Sequence, residues 1–250
     1  MIGVSAQCPA LYAYYAVAMS LPREIVKFAV GTVNRPISRY RFSRALASAS
    51  YPYKIEIGAY RTKRAGWIDT DISWRTRHYM DATKDWPVPT SSVSHVYADN
   101  VIEHLRMGPN RRLFREAHRV LAPGGRIRLA TPDVEYLVDR YMKGDDETRN
   151  LIEISNRKNY EAYHPVDLLR VAFQECGHHV GYLWDYQSLR DELRLAGFTN
   201  ICRFEPGQSD EPELRALETR QDFALVVEAK VVKSPTPQWA TRQATSESAR

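Results

Sequence analysis

The sequence predicts a single α/β domain with a mainly parallel sheet, and three observations predict it. A chain of 250 residues that is 44% hydrophobic and 26% charged fits one soluble globular domain, and excludes global disorder, collagen-like sequence and a multispanning membrane protein. From Lys54 onward, short apolar runs alternate with stretches of helical pattern. Within RRLFREAHRVL (111–121), Leu113, Phe114, Ala117, Val120 and Leu121 recur at helical spacing, which puts one apolar face on a sheet.

The elements follow in order. YKIEIG (53–58) is the first strand, and GWIDTDI (66–72) the second, ending in acids. A third is expected at Thr76–Met80, leading into Asp81-Ala82-Thr83, and SHVYAD (94–99) is the fourth. The helix over 111–121 is stopped by Pro123-Gly124-Gly125, and RIRLATP (126–132) is the fifth strand. After a long segment, 133–183, the pattern predicts a helix over 186–198 with Gly197 as its stop signal, then strands at 201–206 and 222–231.

Before this body lies a basic arm, residues 1–50, with six basic side chains against the single acid Glu24; the remaining 200 residues hold 29 of each sign. Its first residues are apolar but lack a basic leader and contain three tyrosines, so a packed helical arm is expected rather than a signal peptide or a spanning helix. The expected division is 1–50 arm, 51–232 catalytic domain with 133–183 as substrate or lid segment, and 233–250 a disordered tail of Ser, Thr, Pro, Gln and Ala. Cys8, Cys176 and Cys202 are odd in number and without CxxC spacing. They suit a reducing cytoplasm rather than a disulfide framework or a cysteine zinc site.

In an open parallel sheet, ligands bind at the carboxyl ends of the strands. That directs attention to Gly58, Asp71, Asp81, Asp99 and Thr131. Gly58 lets backbone approach a ligand without a Cβ in the way. An aspartate at the position of Asp71 either accepts both hydroxyls of a ribose or starts a turn, and Asp81 can receive an adenine amino group.

The order of motifs says more than any one of them. A strand ending in glycine, then GWIDTD, DAT, VYADNVIEHL and EAHRVLAPGGRIRLATPD, resembles the class I S-adenosylmethionine-dependent methyltransferases, over roughly Lys54 to Lys230. The resemblance implies a Rossmann-like fold with a seven-stranded, mainly parallel sheet closed by an antiparallel hairpin, and S-adenosylmethionine as co-substrate. It further implies Glu56 and Gly58 against the methionine part, Asp71 on the ribose hydroxyls, Asp81 and Ala82 flanking the adenine, and Asp99 and Asn100 beside the methyl donor. One departure stands out. Where the family usually has a second glycine this chain has Tyr60, followed by Arg61, Lys63 and Arg64.

The acceptor side is read from the aromatic and histidine residues crowded between Tyr136 and Tyr186, whose flat faces suit a sugar or a small phenol. Basic residues there are matched by acids, and ADNV after the fourth strand lacks the signature of amino-methylating enzymes. A small-molecule or glycan acceptor is therefore expected over nucleic acid. A hydroxyl acceptor needs its proton taken, and the candidate bases are His179, then His178, then His104. Asp99, Glu103 and Asp133 offer oxygens to a magnesium ion, without metal-specific spacing, so no metal site is assigned. The expected activity is O-methylation of a saccharide, glycoside or other small hydroxylated metabolite. Two other readings stay open: a nucleic-acid methyltransferase using the basic arm, and a non-catalytic binding protein for which Tyr60 argues. A homo-oligomer is compatible with either.

Overall fold

The computed structural model describes residues 9–60, 62–176, 180–218 and 223–232. Among these, six strands form one sheet in the order β2-β1-β3-β4-β6-β5: β1 (Tyr53–Ile57), β2 (Ile68–Thr70), β3 (Val93–Asp99), β4 (Leu121–Pro132), β5 (Phe198–Phe204) and β6 (Ala224–Val231). β2, β1, β3 and β4 run parallel, and β6 lies antiparallel between β4 and β5. β1, β3 and β4 carry near-continuous buried runs such as Ile55-Glu56-Ile57, as parallel strands covered on both faces do.

The expected seventh strand, at Thr76–Met80, is not formed. Only the single bridge Asp71↔Tyr79 is present there. The physical reason is the N-terminal helix α1 (Pro9–Ser48), whose side chains claim the backbone that a strand would use. Asn34 Nδ2 donates to the carbonyls of Trp74 and Thr76, both at 3.0 Å, and Ser38 Oγ donates to Thr76 at 2.8 Å. Phe42 and Leu46 of the same helix are buried in the main core, and Arg35 and Arg39 stand over the Tyr79 ring. The C-terminal half of the basic arm thus holds the segment that follows β2.

α2 (Met107–Val120) starts four residues before its expected limit because Asn110 is buried and its amide donates to the carbonyls of Ile102 and Leu105. Pro123-Gly124-Gly125 ends that helix, yet lies inside an irregular first stretch of β4. Register moves there from Val93↔Leu121 to His95↔Arg126, a bulge with Gly124 at φ +79°. α6 (Tyr186–Leu195) begins on Asp185, whose carboxylate accepts from Ser188 N at 2.7 Å, and Gly197 at φ +97° stops it. Arg128 of β4 is fully buried between Glu218 and its cross-strand partner Glu228, fastening the connection between β5 and β6 to the sheet.

Between β4 and α6 the chain builds a helical roof: α3 (Val134–Lys143), α4 (Asp146–Arg157), α5 (Pro165–Arg170) and a π-helical turn, Val171–Glu175, closed by a bond from Cys176 N to Val171 O. Among the described residues no helix is long and apolar enough to cross a membrane. The expected tail, 233–250, lies outside the described residues.

Candidate active site

The carboxyl ends of β1 and β3 open into a cleft of about 420 Å³. Glu56, Gly58, Asp99, Asn100 and His104 line it, together with Tyr60, Tyr160 and Cys176. Gly58 has φ +71°, and a Cβ built there would stand 2.3 Å from Val101 Cγ2; glycine is therefore required both by backbone conformation and by close approach. Asn100 turns the chain out of β3 at φ +53° and donates from its amide to Asp99 Oδ1 at 2.7 Å.

Glu56 is buried, and Arg64 Nε lies 3.1 Å from its carboxylate. Burial pushes the Glu56 carboxyl above its ordinary range, and the facing guanidinium only partly offsets that. Arg64 also donates to the Leu217 carbonyl and lies 5.2 Å from the centre of the Tyr97 ring. The cationic loop after Tyr60 therefore spends Arg64 inside the domain. Among the described residues neither lysine nor arginine lines the cleft, which presents Glu56 and Asp99 as its carboxylates. Such a lining fits a cationic sulfonium.

Tyr60, in the place of the family's second glycine, has φ +48° and an exposed ring. It keeps the left-handed backbone that a glycine adopts freely. Asp71 does not line the cleft directly but stands behind this turn, its carboxylate accepting from Tyr60 N at 3.0 Å and from Ser73 N. Asp81 accepts from Thr83 N and Thr83 Oγ1 in a local turn, and Ala82 is buried with its carbonyl bonded to Trp86 Nε1. These two sit apart from the cleft lining.

Of the three candidate bases, His104 lines the cleft, half exposed at the end of a short 3-10 turn, with its Nε2 4.0 Å from the buried carboxylate of Glu103. His178 and His179 lie outside the described residues. Glu103 accepts from Thr131 Oγ1 at 3.1 Å. Its backbone carbonyl accepts from Tyr182 N, and a Cβ at Gly181 would lie 1.8 Å from that same carbonyl oxygen. The oxygens offered to magnesium have other uses. Asp133 caps α3 and pairs with Arg203 at 2.6 Å, and among the described residues no group of three His, Cys, Asp or Glu side chains could hold a metal ion.

Beside the cleft, and joined to it at Asp99, Asn100, Tyr160 and Cys176, is a second cavity of about 150 Å³. Its floor is Thr131 and Pro132 at the end of β4 with Phe223 and Ala224 at the start of β6, and its roof is the helical segment. Sequence reasoning passed over the aliphatic wall, although Leu151, Ile154, Ser155 and Lys158 repeat at i, i+3, i+4 and i+7 on one face of α4. That face was the available signal.

Residues 37–129 match the family model described as a methyltransferase domain. No curated protein matches the chain in sequence. Solved structures with a similar arrangement include an S-adenosylmethionine-dependent methyltransferase of Thermotoga maritima (16% identity, 85% of this chain and 96% of that one, TM-score 0.42). They also include human N-acetylserotonin methyltransferase (14% identity, 80% and 52%, TM-score 0.42) and the CurJ carbon methyltransferase (15% identity, 76% and 52%, TM-score 0.41). The chain spans about half the length of the last two. The family match identifies a methyltransferase domain over residues 37–129, the stretch that carries β1, β2 and β3 and one side of the acid-lined cleft at the carboxyl edge of the sheet.

Proposed function

We propose that the protein transfers the methyl group of S-adenosylmethionine to a hydroxyl of a small metabolite held beside Asp99 and Asn100. The observation that carries this reading is the junction of the acid-lined cleft with the second cavity at those two residues, so that a donor on one side and an acceptor on the other meet at the end of β3. When bound, the co-substrate supplies an electrophilic methyl on a positively charged sulfur.

Glu56 and Asp99 offer negative charge to that cation, and Gly58 keeps the floor of the cleft low. Asp71 stiffens the Tyr60 turn from behind and is the carboxylate assigned to the ribose hydroxyls; Asp81 and Ala82 belong to the adenine side. His104 takes the acceptor proton, and Glu103 favours the imidazolium so formed. His179 and His178 are the competing bases. Of the acceptors expected from sequence, a small hydroxylated metabolite is supported better than a saccharide or glycoside by the aliphatic wall of the second cavity. A reducing cytoplasm suits the free Cys176 and Cys202.

Calorimetry with S-adenosylhomocysteine tests donor binding, and a ligand at 100 times its Kd should stabilise the protein by about 2.7 kcal/mol. Replacing His104 with Ala should lower turnover roughly a hundred- to ten-thousandfold, since positioned proton transfer contributes that much, with S-adenosylhomocysteine affinity within a few-fold. A larger loss in His179→Ala than in His104→Ala moves the base to His179.

A further inference from the structure

We infer that the acceptor carries an aliphatic body, seated in the cavity under α3, α4 and α5 with its hydroxyl left at Asp99 and Asn100. This rests on the methyl-transfer reading above and names the substrate class of the same site.

The wall is made of Leu137 from α3, Leu151 and Ile154 from α4, Leu168 from α5, and Val171 and Ala172 from the π-helical turn. Two successive residues of that turn both line the cavity where the helix widens to i→i+5 bonding, a deformation found often at functional sites. Polar groups stand mainly at its ends, with Asp99, Asn100 and Tyr160 where it meets the cleft and the exposed Lys158 at the outer rim, and Ser155 is the one polar residue set among the aliphatic ones on the described face of α4. The Thr131 hydroxyl at the floor already donates to Glu103.

A sugar ring would bring a hydroxyl on nearly every carbon against a mainly aliphatic wall, on which Ser155 and Tyr160 are the further hydroxyls among the described residues, and each sugar hydroxyl left unpaired lowers affinity roughly tenfold or more. Two aromatic residues touch the cavity, Tyr160 at its junction with the cleft and Phe223 on its floor, and the other described rings of the roof segment stand elsewhere. Trp184 is buried in the main core with Phe114 and Tyr182 against it, Tyr163 is exposed, and Tyr136 donates to Glu147. A cavity of about 150 Å³ with mainly aliphatic walls admits an apolar group of about six carbons.

The test is a calorimetric titration, with and without saturating S-adenosylhomocysteine, using linear primary alcohols from butanol to decanol and methyl glucoside as the polar comparator. Affinity should rise about fourfold per methylene and level off at about six carbons. Methyl glucoside should not compete. Ala172→Phe, which fills the cavity, should move that plateau to shorter alcohols while leaving S-adenosylhomocysteine affinity within twofold. If Ala172→Phe fails to fold, Ile154→Trp on the half-buried face of α4 makes the same test. Affinity independent of chain length, or glucoside binding tighter than hexanol, with S-adenosylhomocysteine binding intact, overturns the aliphatic acceptor and leaves methyl transfer standing. Absence of S-adenosylhomocysteine binding overturns the methyl-transfer reading, and the acceptor assignment with it.

Discussion

The two cavities that meet at Asp99 and Asn100 are built of opposite materials. The cleft is made by strand ends and tight turns, with Gly58, Tyr60 and Asn100 all at positive φ and carboxylates in its lining. The neighbouring cavity is made by one face each of three short helices and a π-helical turn, and its wall is aliphatic. Strand ends hold polar groups in fixed directions because the sheet behind them cannot shift without breaking its ladder. Helix faces present interchangeable side chains, so the acceptor wall can change while the donor cleft stays as it is. The contrast predicts that damage to one cavity is read in donor affinity and damage to the other in acceptor affinity.

The largest expected effect is at Gly58. A valine there must hold a left-handed backbone, at about 1–2 kcal/mol, and push against Val101, at about 1–3 kcal/mol. Gly58→Val should therefore destabilise by roughly 2–5 kcal/mol and abolish S-adenosylhomocysteine binding, as urea melts and calorimetry would record. If the folded fraction still binds alcohols with their length dependence intact, the two cavities are independent. Joint loss of both in a folded variant would show that the two cavities act as one.

Next is Asp71, which reaches the cleft through Tyr60 N. Asp71→Ala removes charge-assisted bonds worth roughly 1.5–3 kcal/mol and should weaken S-adenosylhomocysteine about ten- to a hundredfold. Unchanged calorimetric affinity in a folded variant would leave Asp71 a turn residue alone.

A smaller effect of opposite sign is expected at Tyr60. Glycine relieves a left-handed strain of about 1–2 kcal/mol but adds backbone entropy of about 0.5–1 kcal/mol. The net expectation is a gain of at most about 1.5 kcal/mol. Tyr60→Gly should also tighten S-adenosylhomocysteine by clearing the ring from the cleft mouth; weaker binding would assign the ring a contact with the donor.

The same contrast explains what was legible in the sequence. Strand ends were readable because a parallel strand buried on both faces is a short apolar run, and its last residue is marked by a change to Gly or Asp, as at Gly58 and Asp99. The missing strand at Thr76–Met80 was not, because its first carbonyl, that of Thr76, is bonded to Asn34 and Ser38, some forty residues earlier in the chain, and no local pattern records such a partner. The buried place of Arg64 was not legible for a similar reason, since Glu56 and the Leu217 carbonyl become its partners only through the fold. In the helical roof, aromatic residues drew attention by type, while the wall was set by the position of Leu151 and Ile154 on one face.

The smallest effect belongs to the roof and is a pH dependence. Asp167, near the start of α5, accepts from the backbone N–H groups of Tyr163 and His164, both at 2.8 Å, and from Arg170 Nε at 3.2 Å. Those two backbone donors, with Arg170 adding to them, hold its carboxyl down at about 2, against an ordinary 3.8. Because the folded value is the lower one, the bonds stabilise the native state fully above the ordinary value, and that contribution is lost as pH falls from about 4 toward 2. Asp167→Asn should lose it at every pH, so the stability difference between the two proteins should be constant above about pH 4 and shrink below it. Thermal melts between pH 2 and 6 would show this. Since α5 roofs only the acceptor cavity, S-adenosylhomocysteine affinity at neutral pH should stay the same while affinity for hexanol falls slightly, and the reverse pattern would mean that α5 supports the donor cleft instead.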